Sequence, residues 1–264
     1  MNILLPIKQV PDVRNVRMDE TTGTVIREGV EAIVNPLDLY SIELAIRLKE
    51  IYGGKITAIT MGPPKADIAL REAVSMGVDE AVLISDKAFA GSDTWATSHI
   101  LAEAIRQVGE FDLIICGERA VDGDTGQVGP GIGAFLDLPV ATYVSGVEKI
   151  EGGKIYLSRA LESGYEQLAV QMPAVLTVVK EVAEPRLPTL SGKKRSRKIQ
   201  VPHLSQKQLR LDEESIGLKG SPTKVVKIQK PKVARDCEML KISSEKTLNT
   251  AVNRACEFIG EGGL

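Results

Sequence analysis

The 264-residue sequence predicts an α/β fold, doubly wound about a mainly parallel sheet, with antiparallel additions and an extended C-terminal arm. Short apolar runs alternate with helical patterns as far as Cys116, which implies right-handed crossovers between parallel strands. Strand-like segments then follow one another from Val140 to Val179, joined by glycine turns, as antiparallel hairpins require. From Glu184 the chain turns proline-punctuated, basic and polar, with too little apolar content to build a core of its own.

Composition narrows the class. With 43% hydrophobic and 26% charged residues the chain can bury a core, which excludes disorder throughout, and without Gly-X-Y or heptad periods the fibrous classes fail. A net charge of -2 provides no broad cationic surface for nucleic acid or an anionic membrane. Cys116, Cys237 and Cys256 are odd in number and lack C-x-x-C spacing, which disfavours a disulfide framework or a zinc site and points to a reducing cytoplasm. The opening MNILLPIKQVPD is too short for a signal sequence, and no window reaches the roughly 18 apolar residues of a membrane span. A soluble cytoplasmic protein is expected.

The elements follow in order. Ile3 to Val10 reads as a buried first strand stopped by Pro11-Asp12. Asn15 to Glu28 alternates weakly about Thr21-Thr22-Gly23, a small peripheral hairpin. Pro36 opens a helix capped by Asn35 and stopped by Gly53-Gly54, with Leu39, Ile42, Ile46 and Leu48 near helical spacing. Then come a strand over 55–61, a helix over 65–76, a strand over 81–85, a helix over 93–108, a strand over 113–116 and a helix starting near Thr125. Strands over 140–150, 154–161, 165–171 and 174–179 follow, and one amphipathic helix is expected over 245–259. Residues 1–183 are therefore expected to form one α/β domain, and 184–264 an arm that needs a partner surface.

Ligands of an open parallel sheet bind at the carboxyl ends of the strands, and the unusual residues collect there. Asn35-Pro36-Leu37-Asp38, Met61-Gly62-Pro63-Pro64, Gly91-Ser92-Asp93-Thr94 and the long loop GERAVDGDTGQVGPGIG converge on one crevice, which suggests a nucleotide. In the long loop Gly117, Gly123, Gly126 and Gly129 permit close backbone approach, while Asp124 or Thr125 caps a helix whose free N–H groups favour phosphate. The alternative is a glycine-rich turn with a capping-box-like pair, Asp124 and Gln127, that only starts a helix. Gly129 to Ala134 also fits G-x-G-x-x-A, but it lies inside the expected helix, and the acids at the usual offset, Glu148 and Glu151, fall at a hairpin turn. The dinucleotide fingerprint is rejected, and these glycines are read as close-packing positions.

No hydrolytic or metal constellation appears, His99 and His203 read as bystanders, and Cys116 as a small core residue, so any redox chemistry has to come from a bound cofactor. Gly192 to Lys198 forms a basic run beside Leu187, Pro188 and Leu190; a phosphate or nucleic-acid patch is one reading, a merely solvated loop is another, and a docking loop with apolar contacts and steering charges is the favoured one.

At this point the sequence resembles the beta subunit of electron-transfer flavoprotein over nearly its whole length. Lys8-Gln9-Val10-Pro11-Asp12, Asn35 to Asp38, Met61 to Pro64, Ala120 to Thr125 and Gln127 to Pro130 occur in the family's order, and Arg159 to Glu166 followed by Met172 to Thr177 is similar to the family signature, with Leu157 and Ser163 as departures. The resemblance implies a heterodimer in which an alpha subunit holds one FAD, the beta subunit holds an adenine nucleotide, the C-terminal arm wraps the partner, and the loop around Leu190, with Lys193 and Lys194, docks a dehydrogenase. Ordinary members place AMP in the beta subunit, whereas electron-bifurcating members place FAD there and oxidise NADH. The long loop carries Gly126 and Val128 where ordinary members resemble D-D-D-C-N-Q-T-G, and Phe89 to Ser98 is similar to the bifurcating pattern, so the sequence leans toward FAD and bifurcation. The cofactor contacts this implies are Pro6, Asn35, Asp38, Met61, Asp93, Thr94, Thr97, Gly117, Asp122, Gly123, Asp124, Thr125, Gly126, Gln127, Val128 and Gly129. Implied partners are the alpha subunit, an acyl-CoA or other flavin dehydrogenase, and ferredoxin or flavodoxin, with NADH as donor and oxidoreductase activity only in the assembled complex. An adenine-nucleotide sensor that transfers no electrons is the alternative of another class.

Overall fold

The computed structural model describes residues 1–12, 17–18, 25–26, 32–224 and 238–260. Contacts divide the chain into two compact units, Met1–Lys224 and Val225–Leu264. Along the first unit, β1 (Asn2–Pro6) precedes β2 (Gln9–Pro11), β3 (Arg17–Met18), β4 (Val25–Ile26), β5 (Ala32–Val34), α1 (Asp38–Tyr52), β6 (Lys55–Met61), α2 (Asp67–Met76) and β7 (Glu80–Ile84). Next come α3 (Thr94–Val108), β8 (Leu113–Gly117), α4 (Val128–Leu136), β9 (Val140–Glu151), β10 (Lys154–Leu161), β11 (Gly164–Gln171) and β12 (Ala174–Val178). The unit ends with α5 (Leu190–Lys198), β13 (His203–Leu204), α6 (Gln206–Leu209) and α7 (Gly217–Gly220), and α8 (Glu245–Gly260) lies in the second unit.

The main sheet has nine strands in the order β11-β10-β9-β12-β8-β1-β6-β7-β13. From β9 to β13 every neighbouring pair is parallel, and β10 and β11 extend the sheet antiparallel. Side chains alternate along the central strands as a period of two demands. Ile3 and Leu5 of β1 and Leu113 and Ile115 of β8 join Ile42, Ala45, Leu70 and Val74 of α1 and α2 on one face. Leu4, Ile114 and Cys116 join Ile100, Leu101 and Ala104 of α3 and Ile132 of α4 on the other. Helices cover both faces, so the expected doubly wound fold with antiparallel additions is the one observed.

Some boundaries move for identifiable reasons. The sequence extends the first strand to Val10, but β1 leaves the sheet after Pro6: the Ile7 N–H still donates to Ile59 O, whereas the Lys8 N–H donates to the Asp38 carboxylate. Gln9 to Pro11 then pairs antiparallel with β5. Of the hairpin over 15–28, the backbone pairs Arg17 with Ile26 and Met18 with Val25, while its turn at 21–23 lies outside the described residues, as does Cys237. Asn35 does not cap α1, whose N-cap is Leu37. The helix expected near Thr125 begins at Val128, because Asp124 and Gly126 adopt φ of 52° and 63°, left-handed angles that no α-helix contains.

Residues 184–224 also fold within the first unit rather than standing apart from it. β13 adds a parallel edge to β7, and Leu209 and Ile216 sink into the α3 face of the core. Their apolar residues are sparse but fall where a ready-made core receives them. The basic run expected as a loop is the nine-residue helix α5, started by Thr189, whose Oγ1 accepts from the Gly192 N–H at 3.0 Å. The expected amphipathic C-terminal helix is α8, with Leu248, Val252 and Phe258 exposed in the second unit. No helix among the described residues is long and apolar enough to cross a membrane.

Candidate functional site

A cleft of about 420 Å³ opens at the carboxyl ends of β1, β6 and β8, between the start of α3 and the loop joining β8 to α4. Its volume is in the range of small-molecule sites, roughly 300–1,000 Å³. Of the residues singled out by sequence, Pro6, Asp38, Met61, Asp93, Thr94, Thr97, Gly117, Gly123, Thr125, Gly126, Gln127, Val128 and Gly129 line it. Asn35, Asp122 and Asp124 stand behind or beside the cleft and shape it.

Asn35 is a strut. Its buried amide Nδ2 donates to Asp38 Oδ1 and to Arg119 O, both at 2.9 Å, and its Oδ1 accepts from the Val121 N–H at 3.2 Å. One side chain with a donor and an acceptor thus pins the long loop to the start of α1. Asp122 accepts from Lys8 Nζ at 2.7 and 2.8 Å, and Asp124 from Arg119 Nε at 2.9 Å, so both anions are paired with cations at the cleft wall. Because Asp124 is paired in this way and α4 begins at Val128, the Asp124 and Gln127 capping box does not form.

Asp38 forms the floor. Burial pushes its carboxyl up to about 7, against the opposing pull of the Lys8 N–H, the Asn35 amide, the Lys8 charge and the Gly117 N–H. Gly117 is needed at this point because a Cβ there would lie 2.4 Å from Asp38 Oδ1. Cys116, beside it, is buried, and burial followed by the charge of Asp38 drives its thiol far above the ordinary range, which makes it an inert lining group.

Two helix N-termini face the cleft, and they differ. α3 is capped by Asp93, whose Oδ1 accepts from the Ala96 N–H at 3.0 Å and whose Oδ2 accepts from the N–H and hydroxyl of Thr223 at 2.9 and 2.7 Å. Burial raises the Asp93 carboxyl, but these donors outweigh burial and hold it below its ordinary value. α4 has Gln127 at its N-cap with no side-chain bond to the first-turn amides. The Gln127 Oε1 instead accepts from the Thr94 hydroxyl at 2.8 Å, linking the two helix starts across the cleft. A phosphate is repelled by the carboxylate plugging α3 and attracted by the open, positive end of α4.

The glycines of α4 serve packing, as expected. A Cβ on Gly129 would lie 2.5 Å from Thr177 Cγ2, one on Gly131 2.4 Å from Ser98 Oγ, and one on Gly133 2.2 Å from Val140 Cγ2. The helix is therefore drawn in close to β12, α3 and β9, which brings its N-terminus to the cleft.

Sequence reasoning missed Lys8 and Arg119, the lysine and arginine among the lining residues, together with Glu118 and Phe89. Lys8, Glu118 and Arg119 lie within two residues of the ends of β1 and β8, so the strand-end rule applied residue by residue points to them. Ser221 and Thr223, which close over Asp93, carried no such signal, since they are brought in from 128 and 130 residues away. His99 lies mid-α3, its ring stacked on Phe135 with centroids 5.2 Å apart, and His203 is exposed on β13. Away from the cleft, Leu190, Lys193 and Lys194 stand exposed on α5.

A family model described as the electron transfer flavoprotein domain matches residues 22–207. The chain is 48% identical over 255 residues to the electron transfer flavoprotein subunit beta of Thermoanaerobacterium thermosaccharolyticum, covering 96% of this chain and 97% of that one. It is 44% identical over 241 residues to the caffeyl-CoA reductase-Etf complex subunit CarD of Acetobacterium woodii, covering 91% and 92%. It is 42% identical over 234 residues to the acryloyl-CoA reductase electron transfer subunit gamma of Anaerotignum propionicum, covering 86% and 87%.

Proposed function

The chain belongs to the electron transfer flavoprotein family, as a beta subunit, and from that membership we propose that its cleft holds FAD and that the assembled flavoprotein bifurcates electrons from NADH. The observation that carries this reading is the open N-terminus of α4 at the end of a loop stripped of bulk. A Cβ placed on Gly126 would have Glu118 O, at 3.5 Å, as its nearest neighbour, and one on Gly123 would meet nothing within 4 Å, so both positions leave space in the loop that leads to the uncapped start of α4. A diphosphate needs that space and those donors. Lys8 and Arg119 supply the nearby positive charge, Thr94 and Thr97 supply hydroxyls, and Asp38 and Gly117 close the floor.

When bound, FAD supplies a two-electron acceptor for NADH that passes single electrons on, one by way of the alpha-subunit flavin to an acyl-CoA or other flavin dehydrogenase and one to ferredoxin or flavodoxin. The protein's own part is to bind, orient and exclude water. The names of the Acetobacterium woodii and Anaerotignum propionicum relatives, each tied to an acyl-CoA-type reductase, support a partner of that class. Leu187, Leu190, Lys193 and Lys194 form its docking surface, and α8, whose Leu248, Val252 and Phe258 are exposed, packs against the alpha subunit.

The second reading is an ordinary carrier with AMP in the same cleft, since one phosphate also satisfies the end of α4. Extraction of the purified heterodimer and quantification of its nucleotides separates the two. Two FAD per heterodimer with reduction by NADH is the expected result; one FAD with one AMP establishes the ordinary carrier, and a nucleotide without flavin rejects electron transfer by this chain.

A further inference from the structure

Leu187 and Leu190 are 87% and 82% exposed, yet the segment that carries them is fastened at both ends by arginines. At its start, Arg186 spans two carboxylates of α1. Its backbone N–H and Nε donate to Glu43 Oε2 at 3.1 and 2.8 Å, and Nη2 donates to Glu43 Oε1 at 3.1 Å. Nη1 and Nη2 also reach Glu50 Oε1 and Oε2 at 2.6 and 3.1 Å. The Glu43 side chain is 3% exposed, which makes this a fork held at a buried carboxylate rather than a loose surface pair. Burial pushes the Glu43 carboxyl up, and the hydrogen bonds from Arg186 and Arg47 outweigh that and hold it below its ordinary range.

At the other end α2 and α5 exchange arginines. Arg195 of α5 donates to Val74 O at 3.0 Å and to Val78 O, at the C-terminus of α2. Arg71 of α2 donates to Ser196 O at 2.6 Å, at the C-terminus of α5. Each guanidinium pairs carbonyls near a helix end and sits where the helix dipole favours a cation. The two helices lie so close that a Cβ on Gly192 would be 2.0 Å from Ser75 O.

From these contacts we propose that Arg186, backed by Glu43, is a positioning residue for partner docking. It fixes Leu187 to Leu190 before the partner arrives, so that association does not have to order the segment. The guanidinium is occupied by Glu43 and Glu50 and acts through the leucines, not by touching the partner. This inference rests on the docking role given above to Leu187 and Leu190.

The test uses the assembled heterodimer carrying Arg186→Gln, Glu43→Gln with Arg186→Gln, Leu190→Ala, and Leu190→Ala with Arg186→Gln. The double change at 43 and 186 leaves no buried unpaired charge, so it keeps the test meaningful where Arg186→Gln alone misfolds. Hydrogen exchange is read at the hydrogen-bonded amides of residues 186, 192 and 193, and electron transfer is titrated against a purified flavin-containing acyl-CoA dehydrogenase. In the arginine variants exchange is expected to rise about tenfold, and so is the flavoprotein concentration for half-maximal transfer, with the saturating rate and nucleotide content unchanged. Leu190→Ala is expected to weaken docking less in the Arg186→Gln background than in the wild type, because both act through one contact. Unchanged exchange overturns the positioning role while leaving the docking role intact, and additive effects on docking overturn it as well. Loss of any effect from Leu190→Ala removes the docking role itself, and the inference with it.

Discussion

The cleft proposed for the nucleotide and the segment proposed for docking are built in different ways. The cleft is made largely from main chain: glycines, the open end of α4, and a buried amide and carboxyl that hold one loop against another, with the Lys8–Asp122 and Arg119–Asp124 pairs at its wall. The docking segment is made from side-chain charge: Arg186 reaching Glu43 across 143 residues, and Arg71 reaching Ser196 across 125. A site of main-chain donors and empty space is altered by adding atoms, and its failures should be all or none. A segment hung on arginine side chains and presenting exposed leucines and lysines should fail by degrees, and its exposed charges should respond to salt.

The strongest way to break this contrast is to fill the cleft. Thr125 lines it and is itself exposed, so Thr125→Arg adds bulk without disturbing the core. Nucleotide bound by this chain is expected to disappear while the alpha-subunit flavin remains, as measured by extraction and chromatography. Retention of both with full NADH reduction would move the cofactor away from this loop.

The floor of the cleft makes a prediction in pH. Asp38 titrates at about 7 in the folded protein against its ordinary value of 3.8, so between those values the folded state holds a proton that the unfolded state has released. Its contribution to stability is fully present below about pH 4, falls as pH rises, and levels off above about 7. At about 1.4 kcal/mol per pH unit, the ceiling on this loss is about 4 kcal/mol. Asp38→Asn is expected to cost stability at every pH, since an amide cannot accept from all the donors around it, but to remove that part of the slope. Urea midpoints measured from pH 4.5 to 8 check this, and parallel curves for the two proteins would exclude Asp38 as the titrating group.

The contrast also explains what is legible in the sequence. Parallel strands and helices announce themselves by period, and the cleft by glycines and strand ends close together in the chain, so most lining residues can be named from sequence. The start of α4 cannot be placed that way, because the positive φ angles of Asp124 and Gly126 are a property of the folded loop, not of composition. The expected boundary at 183/184 rests on sparse apolar content, whereas Leu209 and Ile216 need only two places in a core that others build. The partners of Arg186, Arg195 and Asp93 are invisible because nothing local in the sequence joins positions more than 100 residues apart.

On the docking side the expected effects are smaller. Leu190→Ala removes an exposed side chain that stabilises nothing in this chain, so melting temperature and nucleotide content should not change. The concentration for half-maximal transfer to the dehydrogenase should rise about tenfold, corresponding to about 1.4 kcal/mol. Unaltered transfer kinetics would take Leu190 out of the interface.

The smallest effect, and the one that most sharply separates the two regions, is expected from reversing Lys193 and Lys194. Arg195 in the same run is committed to the C-terminus of α2, whereas Lys193, Lys194, Arg197 and Lys198 form no ion pair among the described residues and face solvent. Exposed charges of this kind steer encounter more than they hold a complex together. Lys193→Glu with Lys194→Glu should therefore lower the association rate severalfold at low ionic strength and leave dissociation nearly unchanged. The difference from wild type should shrink as salt is raised past physiological strength, where the Debye length is about 8 Å. Thr125→Arg, in contrast, should show no such salt dependence, since added salt does not remove a side chain from the cleft. Stopped-flow measurements over a salt series decide the matter: a salt-independent defect, or one confined to dissociation, would mean that these lysines make close contacts and that the docking surface is not electrostatically steered.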